Sequence, residues 1–61
     1  MSGSEAVKLL RMAAEQGFVG AQYFLGVMYA NGSGVPKNSI EALKWFRLAS
    51  KKGHALAQYN L

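Results

Sequence analysis

Few side chains in this 61-residue sequence could carry out chemistry. The acids are Glu5, Glu15 and Glu41, there is no aspartate or cysteine, and His54 is the one histidine. Acid–base catalysis needs a carboxylate or imidazole beside the reacting group, and a nucleophilic serine needs a base within hydrogen-bond reach. The spacing brings no such pair together, and Glu5 and Glu41 are better placed to begin helices, where negative charge is favoured. We therefore expect no catalytic residue and no enzyme activity.

The same residues argue against a metal or cofactor site. Without cysteine and with one histidine, the chain lacks the ligands of a zinc site. The Gly32-Ser33-Gly34 loop lacks the lysine and the preceding strand of a phosphate-binding loop. We expect no metal and no cofactor, and we assign His54 a structural or capping role.

Basic residues outnumber acidic ones by seven to three, which gives a formal net charge of +4. Lys8 and Lys44 are 36 residues apart, as are Arg11 and Arg47. Either they form a patch for nucleic acid or an acidic partner, or they are a solvated face that keeps an apolar protein in solution. We favour the second interpretation, because phosphate contacts alone bind unspecifically and no nucleic-acid motif accompanies them. We expect no specific nucleic-acid partner.

The apolar segments are too short to cross a bilayer, so no membrane partner is expected. Residues 1–4 lack the basic and apolar regions of a signal peptide, and the sequence assigns no compartment.

An internal repeat organises the chain. Shifted by 36 residues, the segment 5–25 aligns with 41–61, and ten of the 21 pairs are identical. A period of this length is typical of a two-helix unit. We expect one domain over 1–61, with residues 1–4 a flexible start and residues 5–61 matching the repeat.

The predicted architecture is all-α, an α/α solenoid of antiparallel helix pairs. The segments 4–16, 20–31 and 39–52 are rich in helix-forming residues, and a fourth, truncated helix is expected to follow a turn at Gly53. Gly17 occupies the matching position in the first copy, where a left-handed residue ends a helix.

Further signals place the ends and faces of these helices. Asn38 stands three residues before Glu41, the spacing of a capping box. Gly26 lies inside a helix, which predicts close approach of a neighbouring helix. Apolar and small residues at helical spacing predict one buried face in the third helix: Ile40, Ala42, Leu43, Phe46, Ala49 and Ser50.

These residues carry a family resemblance. Leu25-Gly26-x-x-Tyr29 followed by Ala42-x-x-x-Phe46 is similar to the tetratricopeptide pattern. The longer period, the Asn31–Asn38 loop and the segment 41–61 resemble the Sel-one-like repeat almost position by position. In that family's phase the chain holds a second helix, one whole unit and half of a first helix.

The resemblance implies a non-catalytic scaffold for protein–protein interaction, whose Leu-Gly-x-x-Tyr helices line a groove. The groove residues that it implies are Tyr23, Phe24, Val27, Ala30 and Asn31, followed by Tyr59 and Asn60 in the partial unit. A protein or peptide is the expected partner. Leu25 and Tyr29 are assigned to the core instead.

The number of repeats leads to a second hypothesis. Solenoids gain stability by stacking, and about three repeats are usual. Two open ends would expose apolar residues, so we expect a homo-oligomer held together by Val7, Leu10, Tyr59 and Leu61. The alternative to a binding scaffold is therefore a self-assembling structural piece, natural or engineered, with no partner beyond its own copies.

Overall fold

Three helices make up the part of the chain that the structure describes. In this computed structural model, the backbone is described over residues 3–60 and the side chains over residues 4–53. The helices are α1 (Gly3–Glu15), α2 (Val19–Asn31) and α3 (Ser39–Asn60), and α2 packs against both of the others. The predicted all-α, α/α-repeat class is confirmed. Because α1 begins at Gly3, Ser4 belongs to a helix rather than to a flexible start.

The turn between α1 and α2 forms where Gly17 predicts it. Gly17 has a φ of +100°, a backbone conformation that residues other than glycine rarely adopt. Its N–H donates to the Ala14 carbonyl at 3.0 Å, and the Phe18 N–H donates to the Ala13 carbonyl at 3.2 Å. These two bonds form a Schellman motif. Lys52 of α3 donates to the Gly17 carbonyl at 2.9 Å, which ties the turn to the third helix.

Asn38 connects the second loop to the start of α3. Its side-chain oxygen accepts hydrogen bonds from the N–H groups of Ile40 and Glu41, both at 3.1 Å, so the predicted N-cap is confirmed. The Asn38 N–H donates to the Tyr29 carbonyl at 2.9 Å. That donor is therefore used to hold the loop against α2 rather than to complete the capping box.

The core lies along α2. Leu25 is fully buried and Tyr29 is 8% exposed, which confirms their assignment to the core. Gly26 is also buried, because the Phe46 ring of α3 lies against it: a Cβ at this position would stand 2.7 Å from Phe46 Cε1. The predicted close approach at Gly26 is thus confirmed. The buried cluster combines residues of all three helices: Val7, Ala14, Leu25, Tyr29, Ala42 and Trp45.

The buried face predicted for α3 is wrong in part. Ala42 and Ala49 are buried, but Trp45 lies between them, whereas Ile40 is 81% and Leu43 53% exposed. Ser50 is exposed too, and Phe46 is half-buried.

The repeat explains this difference. Leu43 of α3 corresponds to Val7 of α1 in the repeat. Val7 is buried against α2, the helix that follows α1. In contrast, α3 turns Trp45 toward α2, the helix that precedes it. A helix in a repeat array has two contact faces. Leu43 and Ser50 lie on the other one, because they correspond to the buried Val7 and Ala14 of α1, whereas Ile40 corresponds to the exposed Ser4.

The predicted turn at Gly53 is also wrong. The helix α3 continues through Gly53 to Asn60, so the described chain has three helices rather than four. A glycine inside a helix costs about 1 kcal/mol relative to alanine, whereas a turn would break several backbone hydrogen bonds. In the first copy, burial of Leu25 and Tyr29 offsets that loss.

The Gly26 contact predicts opposite effects for two alanine substitutions in α2. Gly26→Ala gains helix propensity but drives its methyl group into the Phe46 ring, and overpacking costs about 1–3 kcal/mol. We expect its free energy of unfolding to fall by about 1 kcal/mol. The matched control is Gly20→Ala, whose Cβ meets no atom within 4 Å, and its free energy should rise by up to about 1 kcal/mol. Urea denaturation followed by circular dichroism measures both, and equal stabilisation of both variants would contradict the contact.

The continuous α3 helix makes a prediction at Gly53. A Cβ there meets open space, so Gly53→Ala should raise helicity and increase the free energy of unfolding by up to about 1 kcal/mol. Gly17→Ala is the opposite case, because its φ is positive and a Cβ would clash with Lys52. Far-UV circular dichroism and urea denaturation compare the two, and loss of stability in both variants would indicate a turn at Gly53.

Candidate protein-interaction surface

The predicted groove residues share one side of α2. Tyr23, Val27 and Asn31 are four residues apart, and Phe24 and Ala30 lie beside them on the helix. The opposite side carries the buried residues of α2. Of the five residues on this side, Ala30 packs against the buried cluster.

Two aromatic side chains dominate this side. Tyr23 is 60% and Phe24 57% exposed, whereas Val27 and Ala30 are half-buried and Asn31 is exposed. Exposed neighbouring aromatic residues are frequent anchors in protein interfaces, because they bury a large area at a small cost in conformational entropy. These five residues are called the α2 face below.

A shallow groove adjoins the α2 face on the side of α3. The Tyr23 ring packs against Phe46 with their centroids 5.5 Å apart and their planes at 53°. The groove has a volume of about 670 Å³ and is lined by both helices. Its lining residues are Val19, Gly20, Tyr23, Phe46, Ala49 and Ser50.

Most of these groove residues were not predicted from the sequence. Phe46 and Ala49 were expected to be part of a buried face, and Val19 had no assigned role. The repeat period gives the spacing along each helix but not which faces of two helices meet. The small residues Gly20, Ala49 and Ser50 leave the space beside Tyr23 open, and this is the one signal in the sequence.

The remaining residues predicted for the groove or for self-association lie elsewhere in the chain. The side chains of Tyr59 and Asn60, and all of Leu61, lie outside the described residues. Val7, predicted to hold copies of the chain together, is buried in the core of a single chain at 6% exposure. Leu10 is half-buried.

The basic residues make several contacts within the chain. Arg11 donates to the Tyr29 hydroxyl, and its guanidinium lies 5.9 Å from the centre of the Tyr29 ring. Lys44 lies 3.4 Å from a Glu41 carboxylate oxygen and 4.8 Å from the centre of the Trp45 ring. These contacts support a structural role for Arg11 and Lys44.

Over the described side chains, no three histidine, aspartate or glutamate residues come together as a metal site would require. Over the described helices, none is both long and apolar enough to cross a membrane.

The order of the helices, the glycine-ended turns and the exposed side of α2 define an α/α helical-repeat protein. The sequence profile of the Sel1 repeat matches residues 2–18 and 19–54. The second range begins with α2 and includes Trp45 of α3. The chain therefore belongs to the Sel1 repeat family, and the resemblance seen in the sequence is confirmed.

Three curated relatives are regulators by name. An exopolysaccharide production negative regulator of Rhizobium meliloti (strain 1021) is 43% identical over 49 residues, which cover 80% of this chain and 18% of the relative. A protein of the same name from Rhizobium leguminosarum bv. viciae is 41% identical over 49 residues, with the same coverage. The chitin synthase regulator SKT5 of Malassezia restricta is 37% identical over 60 residues, which cover 98% of this chain and 4% of the relative.

The chain thus spans less than a fifth of each of these relatives. No solved structure matches it significantly.

The Arg11–Tyr29 contact predicts that loss of the hydroxyl lowers stability at Tyr29 but not at Tyr23. Tyr29→Phe removes the hydroxyl that accepts from Arg11, and a hydrogen bond of this kind contributes about 1 kcal/mol. Tyr23→Phe removes an exposed hydroxyl and should change stability by less than about 0.5 kcal/mol. Urea denaturation measures both variants, and an unchanged midpoint for Tyr29→Phe would show that the contact contributes nothing to folding.

Proposed function

We propose that this chain is a non-catalytic scaffold for protein–protein interaction, and that the α2 face and the adjoining groove hold a peptide or protein segment. The observation that carries the proposal is the exposure of Tyr23 and Phe24 on a helix whose opposite side carries its buried residues. Burying one large aromatic side chain in a partner is worth about 1.5–3 kcal/mol. A face with two such residues therefore favours an apolar or aromatic partner segment.

The relatives support the same general role. They are named as regulators of exopolysaccharide production and of chitin synthase, and a regulator acts through another component. We carry over only the interaction role, because the matched region is a small share of each relative.

Self-assembly is the second candidate, and one observation favours it. On α1, Leu9 is 54% and Met12 61% exposed. A second copy of the chain could bury them, with the half-buried Leu10 at the edge of the contact. In that case the chain is a structural piece whose partner is its own copy.

Peptide selection on the immobilised chain tests the scaffold role. Peptides are selected from a random library, and their affinities for the wild type and for two double variants are measured by fluorescence anisotropy. Tyr23→Ser with Phe24→Ser should weaken binding by about tenfold or more, because each interface aromatic residue contributes more than about 1 kcal/mol. The matched control, Leu9→Ser with Met12→Ser, removes two exposed apolar residues from α1 and should leave affinity within about twofold.

The same variants separate the two candidates. Sedimentation equilibrium across a concentration series gives the mass of each variant, and circular dichroism shows that each remains helical. If both double variants weaken peptide binding equally, or if no peptide is selected, the proposal that the α2 face binds a partner segment is wrong. A wild-type oligomer that only the α1 variant dissociates would then support self-assembly.

A further inference from the structure

The outer side of α3 combines positive charge with exposed apolar residues. Five side chains at spacings of three, four, seven, eight and eleven residues lie on this side. They are Ile40, Lys44, Arg47, Leu48 and Lys51, called the α3 stripe below. All are exposed, and they line a shallow depression of about 660 Å³ together with Leu43 and Ser50.

The charge of the stripe is largely uncompensated. Lys44 lies 3.4 Å from Glu41, the nearest acid on this helix. Within the described part of the chain, Arg47 and Lys51 make no ion pair or hydrogen bond. Since they are four residues apart, their charges lie on the same side of the helix.

The apolar residues distinguish the stripe from an ordinary solvated face. Ile40 is 81% exposed, more than any other large apolar side chain among the described residues, and Leu48 is 41% exposed. A face that serves only solubility gains nothing from an isoleucine in water, whereas an interface gains from burying it.

The repeat indicates that stacking of a further helix would leave most of the stripe open. The corresponding residues of α1 are all exposed although α2 packs on α1: Ser4, Lys8, Arg11, Met12 and Glu15. A helix packed on α3 in the same way would cover Leu43, which corresponds to the buried Val7, and would contact Arg47 as Tyr29 contacts Arg11. It would leave the other four residues of the stripe exposed. The α3 stripe also has isoleucine in place of Ser4 and lysine in place of Glu15, so it is more apolar and more basic than its counterpart.

We infer that the α3 stripe binds an acidic amphipathic helix of a partner protein, separately from the α2 face. Carboxylates four residues apart on such a helix match Arg47 and Lys51, and its apolar residues match Ile40 and Leu48. A nucleic acid would use the cations but leave the apolar residues in water. A bilayer surface would need a wide apolar face, but α3 turns Trp45 and its buried alanines toward α2.

A synthetic helical peptide tests this inference. The probe is an alanine-based peptide with glutamate and leucine on one side, and its control has lysine in place of each glutamate. Binding to the 61-residue chain is measured by fluorescence anisotropy at low and moderate salt. We expect the glutamate peptide to bind and the lysine peptide to bind at least about tenfold more weakly, with weaker binding of the glutamate peptide at higher salt.

Two pairs of variants locate the site. Arg47→Glu with Lys51→Glu should weaken binding by about tenfold or more, whereas Lys8→Glu with Lys37→Glu, which changes the net charge equally, should have less than about a threefold effect. Ile40→Ser should weaken binding by about threefold or more, and Phe18→Ser, at an exposed apolar position outside the proposed surfaces, should not. All of these residues are exposed, and circular dichroism verifies that each variant remains helical.

Several results would overturn the inference. These are no binding of the glutamate peptide, equal effects of the two charge-reversal pairs, or no effect of Ile40→Ser. Tighter binding to a single-stranded oligonucleotide or to phosphatidylserine vesicles, lost in the Arg47 and Lys51 variant, would show that the stripe serves another class of partner. None of these results bears on Tyr23 and Phe24, so the α2 face is tested independently.

Discussion

The central helix can lie against α3 only because residue 26 has no side chain. The Phe46 ring occupies the space in which a Cβ would stand, 2.7 Å from Cε1. This close approach brings α2 near enough for Leu25 to be fully buried and for Tyr29 to join Ala42 and Trp45 in one cluster. Glycine inside a helix costs about 1 kcal/mol relative to alanine, and the contacts made on both sides of α2 offset it. The positions of the two exposed surfaces follow from this packing, because it determines which side of each helix is left over.

Much of the fold could be predicted from local chemistry. The repeat gave the helix ends to within about a residue up to Ser39, since Gly17 and Asn38 act through their own backbone and nearest neighbours. Contacts between helices were harder to predict. The period identified one face of α3 that resembles the α2-facing side of α1, but α3 uses a different face to pack on the helix before it. At Gly53, the same residue type as at Gly17 lies in a continuous helix, because the stability of a turn depends on the packing of the helix that returns from it.

The candidate surfaces also combine features that the sequence predicts with features that depend on helix packing. The residues of the α2 face follow from helical spacing and were predicted together, whereas Phe46 and Ala49 become groove residues only when α2 and α3 are placed side by side. On α3, the charges were visible in the sequence, but the exposure of Ile40 was not, since its spacing also fits a buried face. The two proposed surfaces lie on different helices, so each can be tested without the other.

The most direct test of the packing is an NMR measurement of the contact between Gly26 and Phe46. We expect strong nuclear Overhauser effects between the Gly26 α protons and the Phe46 ring protons, with the Gly26 α protons shifted by the ring current. A chain that is helical over α2 and α3 but shows neither the Overhauser effects nor the shift would contradict the close approach. The positions assigned to both surfaces would then be wrong as well.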